Sequence, residues 1–446
     1  MKKLMMVVAA LSAIAASAEI TITGVTARQR WPWNSLVDVD FAINGAAVGE
    51  AFAIDITAEC AGGEKKLAAC SYFTEPIAGP GTNRVVWDMG KDFPNFRAED
   101  LRVTVTATPF SGSTPVYMVI DLSGGKDATK YPVRYTTTPP AHVQGGIDEP
   151  CQTTEMWLRR VPAAGRTFSS GWQVPADNNS AWWVKLTKDF YIGVFQVTQQ
   201  QWFLMTGTWP SSFSNATYRA SRPLDSYKPS LLFGSGGCTW ADDNQTISGN
   251  CLLQTLRNRT GLSTLNLPTE AQFQFAACGN TITTPDSSLG SAVNYYKGYT
   301  QSEVCRHSGN QDKNYESGNC STNSGTACVG SYKPNDYDLY DMIGNVAQEV
   351  LGYYGTGEQL SGYYGGLGAK NTSTPVVDPQ GVPSAKALEF KAEAGWNSLR
   401  NTSRGGDGFY QTGGYNTLWC RNGSYPSYVD NYSLHSRGFR FAVTCE

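Results

Sequence analysis

The phrase LNLPTEAQFQFAACG, residues 265–279, decides how the second half of this chain is read. Thr269 can cap a helix there, and Gln272, three residues on, is the return partner of a capping box. Phe273, Ala276 and Ala277 give an apolar face at i, i+3 and i+4, and Gly279 supplies the stop. VTQQQWFLMTG at 197–207 repeats the design, with Thr198 as cap, Gln201 as return partner and Gly207 as the left-handed stop. Two more phrases follow: NDYDLYDMIGNVAQEV at 335–350, then SRGGDGF at 403–409 with SRGFRFAV at 436–443 closing the region. Between them the chain is rich in Gly, Asn and Tyr, with short strands. Two small helices among extensive loops, finished by one strand at GFRFAV, predict an α+β domain of low regular content.

Working outward, residues 19–135 carry a different pattern. ITITGVTARQ, LVDVDFAING, AFAIDITAEC, NRVVWDM, LRVTVTATPF and VYMVIDLSGG alternate in strand-length runs separated by Gly, Pro, Asn and Asp. Strands at this spacing without helical periodicity predict a β-sandwich of immunoglobulin or fibronectin type. Trp31, Trp33 and Trp87 sit among these strands and are read as packing residues. TTTPPAHVQGGIDEP follows, where Pro-Pro resists helix and Gly-Gly permits a turn, so 136–150 reads as a linker and 151–446 as the second domain.

The first eighteen residues, MKKLMMVVAALSAIAASA, have the form of a secretory signal peptide: Lys2 and Lys3, an apolar run, then Ala-Ser-Ala before Glu19. The run is shorter than the about 20 residues a membrane span needs. Export to a secreted, periplasmic or cell-surface location is therefore expected. Charged residues make up only 16% of the chain and the formal net charge is -3 with no basic stripe, which argues against a nucleic-acid partner. Eleven cysteines in an exported chain predict disulfides, with Cys60 and Cys70 placed to staple a hairpin and Cys305, Cys320 and Cys328 crowding a polar insertion. There is no paired CxxC, and the three histidines, His142, His307 and His435, are scattered, so no zinc site is expected.

Taken in order, DFYIGVFQVTQQQW (189–202), SRPLDSY (221–227), LPTEAQFQFAACG, GTACVGSYKPNDYDLYDMIGNV (325–346), RGGDGF and GFRFAV resemble the signature of the formylglycine-generating enzyme, or sulfatase-modifying factor, family. The resemblance runs from about Met156 to Val443 and implies a C-type-lectin-like fold. It also implies two kinds of site. One is a structural Ca²⁺ held in the loop of the GNV phrase, which maps onto Asp341, Gly344, Val346 and Gln348, with Asn345 inside the same turn. The family's carboxylate ligand is replaced here by the amide of Gln348.

The other is a copper(I) centre of two thiolates shortly after RGG, a soft-ligand requirement. Its positions hold Tyr410 and Tyr415, so no copper is expected and the family's oxidase chemistry is not expected either. Cys420 alone cannot supply two thiolates and is read as a disulfide partner. The ergothioneine-type branch of the fold uses an iron-binding histidine cluster that these scattered histidines do not supply. No G-x-S-x-G, P-loop or HExxH phrase offers another chemistry.

What lies between RGG and GFR is dominated by Tyr, Asn, Ser and Gly, the mixture that gives paratopes large rigid contacts and adaptable hydrogen bonds. It also resembles the variable C-terminal regions of diversity-generating-retroelement proteins. Tyr410, Tyr415, Asn416, Trp419, Arg421, Tyr425, Tyr428 and Tyr432 are the expected ligand-binding residues. The chain thus reads as a secreted binding or adhesion protein for an extracellular protein or glycan. The alternative is a formylglycine-generating oxidoreductase acting on exported sulfatases.

Overall fold

The computed structural model describes residues 20–30, 35–60, 65–67, 70–94, 101–110, 116–171, 181–233, 247, 251–278, 299–310, 325–365, 374–407, 418, 420–424 and 436–446. The chain divides into two compact units. One takes the sequence up to Pro139 with residues 256–264 and the last three residues; the other takes Pro140–Thr255 and Leu265–Val443. The signal-peptide stretch, Trp31 and Trp33 lie outside the described residues.

The first unit is mostly β. Its strands are β1 (Thr21–Gln29), β2 (Leu36–Asn44), β3 (Phe52–Cys60), β4 (Lys65–Leu67), β5 (Ile77–Ala78), β6 (Gly81–Asp88), β7 (Arg102–Pro109), β8 (Tyr117–Asp121) and β9 (Val133–Thr136), with one short helix, α1 (Met89–Asp92). One sheet runs in the order β1-β2-β6-β9-β8, and β3 pairs with β4, β5 and β7 in another. Alternation does the sorting: Val37, Val39, Phe41 and Ile43 of β2, Ile54 and Ile56 of β3, and Val103 and Val105 of β7 all fill one core. Trp87 sits in that core fully buried, and its indole nitrogen donates to Asp92 at 2.6 Å. On the polar side the Arg84 guanidinium bridges Asp40 at 2.6 Å and Asp121 at 2.7 Å.

The second unit holds β10 (Glu155–Val161), β11 (Arg166–Gly171), β12 (Ala181–Leu186), β13 (Phe190–Gly193), β14 (Leu265–Asn266), β15 (Ala347–Tyr353), β16 (Val376–Val377), β17 (Asn401–Arg404), β18 (Arg421–Ser424), β19 (Arg437–Phe439) and β20 (Ala442–Thr444). Its helices are α2 (Pro150–Thr153), α3 (Gln199–Thr206), α4 (Pro229–Phe233), α5 (Leu252–Thr260, whose second half joins the first unit), α6 (Glu270–Cys278), α7 (Gln301–Val304), α8 (Gly357–Tyr364) and α9 (Ser384–Glu393). Strands β10, β13, β20 and β14 lie side by side, β11-β12-β16 form a second group, and β18-β17-β15-β19 a third. Among the described residues no helix is long and apolar enough to cross a membrane.

Both capping boxes form. Thr198 Oγ1 accepts from the Gln201 backbone N–H at 3.2 Å, the Thr198 N–H donates back to the Gln201 side-chain oxygen at 3.0 Å, and Gly207 ends α3 at φ 77°. Thr269 and Gln272 do the same for α6, at 3.1 and 3.0 Å. The expectation of a one-sided apolar face on α6 needs correction: every residue from Ala271 to Cys278 is buried. Polar Gln274 is accommodated because its carbonyl oxygen accepts from Ser170 at 3.0 Å and from the Arg404 guanidinium. The closing phrase is also not one strand. β19 pairs with β15 and β20 with β14, so the chain changes sheets at Arg440 and Phe441.

The cysteine expectation changes as well. Cys70, Cys151, Cys251, Cys305, Cys328 and Cys420 are buried thiols, with no disulfide among them. Cys70 is thus not stapled to Cys60, nor Cys305 to Cys328. Closeness in sequence brings thiols near one another only where the backbone also aims them. Burial pushes the Cys70 and Cys420 thiols up to about 12, which suits packing groups and not nucleophiles.

Candidate functional site

Strand β15 is where the signature phrases meet. Its Gln348 and Glu349 pair with Arg404 and Ser403 of the RGG strand β17, running antiparallel. On the other side the parallel neighbour β19 sets Arg437, Gly438 and Phe439 against Ala347, Gln348 and Glu349. The Leu351 amide donates to the Pro268 carbonyl at 2.9 Å, which brings in the LPTE turn.

The turn before β15 is built from left-handed backbone. Asp341 at φ 51°, Gly344 at φ 71° and Asn345 at φ 64° curl the DMIGNV stretch tightly. A side chain at Gly344 would place its Cβ 2.4 Å from the Arg306 carbonyl, so only glycine fits. Asn345 tolerates its conformation because its amide clamps Ala327, accepting from that N–H at 3.0 Å and donating to that carbonyl at 3.2 Å. The Gly344 amide donates to the Gly405 carbonyl at 2.8 Å, which ties this turn to RGG.

The curl turns three carbonyl oxygens inward. Those of Asp341, Gly344 and Val346 lie 3.2, 3.3 and 3.0 Å from the side-chain nitrogen of Gln196. That nitrogen is the group these three carbonyl oxygens face. An NH₂ group has only two hydrogens for three carbonyls, and Gln196 Oε1 is buried with no hydrogen-bond partner among the described residues. The fourth expected ligand, Gln348, donates to the Asp341 carbonyl at 2.9 Å, and its own oxygen accepts from Arg440. Arg440 is fully buried and also donates to the carbonyls of Gly193 at 2.7 Å, Tyr340 at 2.8 Å and Asp341 at 3.0 Å. Arg440 stands where the closing phrase breaks into two strands.

The oxygens present fit a hard cation such as Ca²⁺ in kind and direction. They fit it weakly, because no carboxylate oxygen joins the cradle and the Arg440 charge lies against two of the same atoms. The Asp341 carboxylate points the other way and accepts from the Gly330 amide at 2.8 Å. Burial pushes it up to about 6 against the lowering effect of that bond and of Arg440. Gln196 was absent from the sequence-derived ligand set; its one signal was a polar residue in the otherwise apolar strand-like run YIGVFQV.

Of the eight residues expected to bind ligand, Tyr410, Tyr415, Asn416, Trp419, Tyr425, Tyr428 and Tyr432 lie outside the described residues. Arg421 is described, and it faces inward at 9% exposure. Its guanidinium contacts the Glu270 carboxylate at 2.5 and 3.2 Å, donates to the Gly355 carbonyl and stacks on the Tyr354 ring at 4.5 Å. It therefore anchors β18 to the LPTE helix. Arg404, fully buried, reaches the same carboxylate at 3.6 Å.

The frame around the Tyr-rich stretch is well defined. β17 and β18 pair from Asn401↔Ser424 to Arg404↔Arg421. Residues 405–420 thus leave and return at the Arg404–Arg421 end. Residues 425–436 lead back to that same end, where Arg437 of β19 donates to Ser403.

The family profile described as sulfatase-modifying factor enzyme 1-like domain matches residues 161–386, just over half of the chain. No curated protein matches. Among solved structures, Treponema denticola variable protein 1 is similar, with 18% sequence identity and a TM-score of 0.41 over 68% of this chain and 99% of that one. That likeness carries no functional argument. The phrases that meet on β15 and the profile match agree: the chain belongs to the sulfatase-modifying factor enzyme 1-like family.

Proposed function

We propose that this is a secreted or cell-surface, non-catalytic binding protein that recognises an extracellular protein or glycan through its Tyr-rich C-terminal segment. The observation that carries the reading is that the sheet fixes both ends of each Tyr-rich stretch, 405–420 between Arg404 and Arg421 and 425–436 between Ser424 at the opposite end and Arg437, with Arg421 committed to holding the frame. Side chains mounted on such a frame can contact a partner without sharing in the core. Tyr410 and Tyr415 stand where the family's copper-binding thiolates belong, and the neighbouring thiol of Cys420 is buried. The first unit, read as an immunoglobulin- or fibronectin-like β-sandwich, serves as spacer or second contact, and the lectin-like domain is α+β. Ca²⁺ in the carbonyl cradle has a structural role, stiffening the turn that leads into β15.

The test is binding of the mature chain to a printed glycan array and to a panel of purified cell-surface proteins. Replacing Tyr by Ala at 410, 415, 425, 428 and 432 together should lower the signal at least about tenfold, roughly 1.4 kcal/mol, with an unchanged unfolding midpoint. Copper(I) uptake with oxidation of a CxPxR peptide would establish the oxidoreductase reading in its place.

A further inference from the structure

The sequence scatters its three histidines, yet folding brings His142 against Glu149 and Cys151. The donor atoms of these three side chains all lie within 4.8 Å of one another, the one such group among the described residues. The spacing H-x₆-E-x-C straddles the stretch read as linker, which from Pro140 onward belongs to the second unit. We propose that His142 Nδ1, Glu149 Oε2 and Cys151 Sγ form a binding site for a tetrahedral transition-metal ion, Zn²⁺ by chemical class.

The geometry is that of a prepared ligand set. The imidazole is held between Phe195 and Tyr340, with ring centroids at 5.0 and 5.1 Å, and its side chain is 2% exposed. Its Nε2 lies 3.1 Å from the Gly330 carbonyl, the backbone partner that ligating histidines use to fix their tautomer. With that nitrogen donating, Nδ1 presents a lone pair to the Glu149 carboxylate, and two acceptors in contact require a cation between them, a proton or a metal. Gly330 is part of the device: a Cβ there would fall 2.3 Å from His142 Nε2. The other Glu149 oxygen is engaged by the Val143 amide at 3.0 Å, leaving Oε2 to the site.

Cys151 Sγ is 3.7 Å from Glu149 Oε2, and a tetrahedral Zn²⁺ with ordinary bond lengths separates sulfur from oxygen by about 3.6 Å. The His142–Glu149 contact must open to about 3.4 Å on the same geometry. Burial, then the Glu149 charge, pushes the Cys151 thiol up to about 12, so the thiol proton leaves to solvent as the metal–sulfur bond forms. Three protein ligands leave a fourth position for water. The site is separate from the carbonyl cradle, which offers only hard oxygens; Gly330 accepts from His142 here and donates to the Asp341 carboxylate, which points away from that cradle.

Chelator-stripped full chain titrated with Zn²⁺ should bind one equivalent that Cys151→Ser and His142→Ala each weaken at least tenfold, while Cys420→Ser leaves it unchanged. Co²⁺ in its place should give a sulfur-to-metal charge-transfer band that Cys151→Ser abolishes. Because either variant could fail to fold, X-ray absorption at the zinc edge of the unaltered protein gives an independent reading. One sulfur with nitrogen and oxygen neighbours supports the site. No zinc uptake, a shell without sulfur, or uptake indifferent to Cys151 overturns it.

Discussion

At the scale of single residues, Arg421 shows how a side chain in a segment proposed for recognition can be recruited to structure. Its contacts with Glu270, Gly355 and Tyr354 leave little of the guanidinium for a ligand. Arg421→Ala should destabilise the second unit by about 3–5 kcal/mol, since it leaves Glu270 with only the longer Arg404 contact. Urea unfolding measures this, and an unaltered midpoint with lost ligand binding would instead make Arg421 a contact residue. Asp225 offers a pH signature. It is buried, its Oδ1 accepts from Ser212 and Ser226 at 2.7 Å each, and burial pushes it up to about 6. Since the folded value exceeds the unfolded one, its contribution to stability is fully present below about pH 4 and is lost as pH rises through 6. Stability should fall by up to about 1.4 kcal/mol per pH unit across that window, and Asp225→Asn should flatten that slope in melts run from pH 4 to 7.

At the scale of elements, the helices were legible and the turn was not. Thr198 with Gln201, and Thr269 with Gln272, announce helix starts because a capping box is a local exchange of hydrogen bonds. That α6 is buried on every side was not legible, because Ser170 and Arg404, which satisfy Gln274, lie over 100 residues away. The role of Gln196 was hidden for the same reason. Its amide meets carbonyls about 145–150 positions onward. Gln196→Glu sets a carboxylate against three carbonyl oxygens and should cost about 1–3 kcal/mol in EDTA. Millimolar Ca²⁺ should restore the loss and raise the midpoint above that of the unaltered protein in the same buffer. Equal midpoints with and without Ca²⁺, for both proteins, would remove the cation from the cradle.

At the scale of the whole molecule, the order of phrases carried the family, since six phrases in sequence constrain far more than any one. Counting cysteines misled because an exported chain's thiols were assumed to pair, whereas Cys70, Cys305, Cys328 and Cys420 are buried thiols. His142 gains its partners only when 140–150 packs as part of the second unit, which a count of three scattered histidines does not convey. Of the positions named for recognition, Arg421 lies among the described residues, and it faces inward.

Residues 405–420 and 425–436 join strand ends that the sheet already fixes, which has a consequence for length as well as for composition. Each is a closure between strand ends already held by Arg421, Arg437 and the β15 pairings. Doubling such a loop adds only about 0.6 kcal/mol of closure entropy. The reach of this surface can therefore grow or shrink between related chains while the sheet beneath keeps its register.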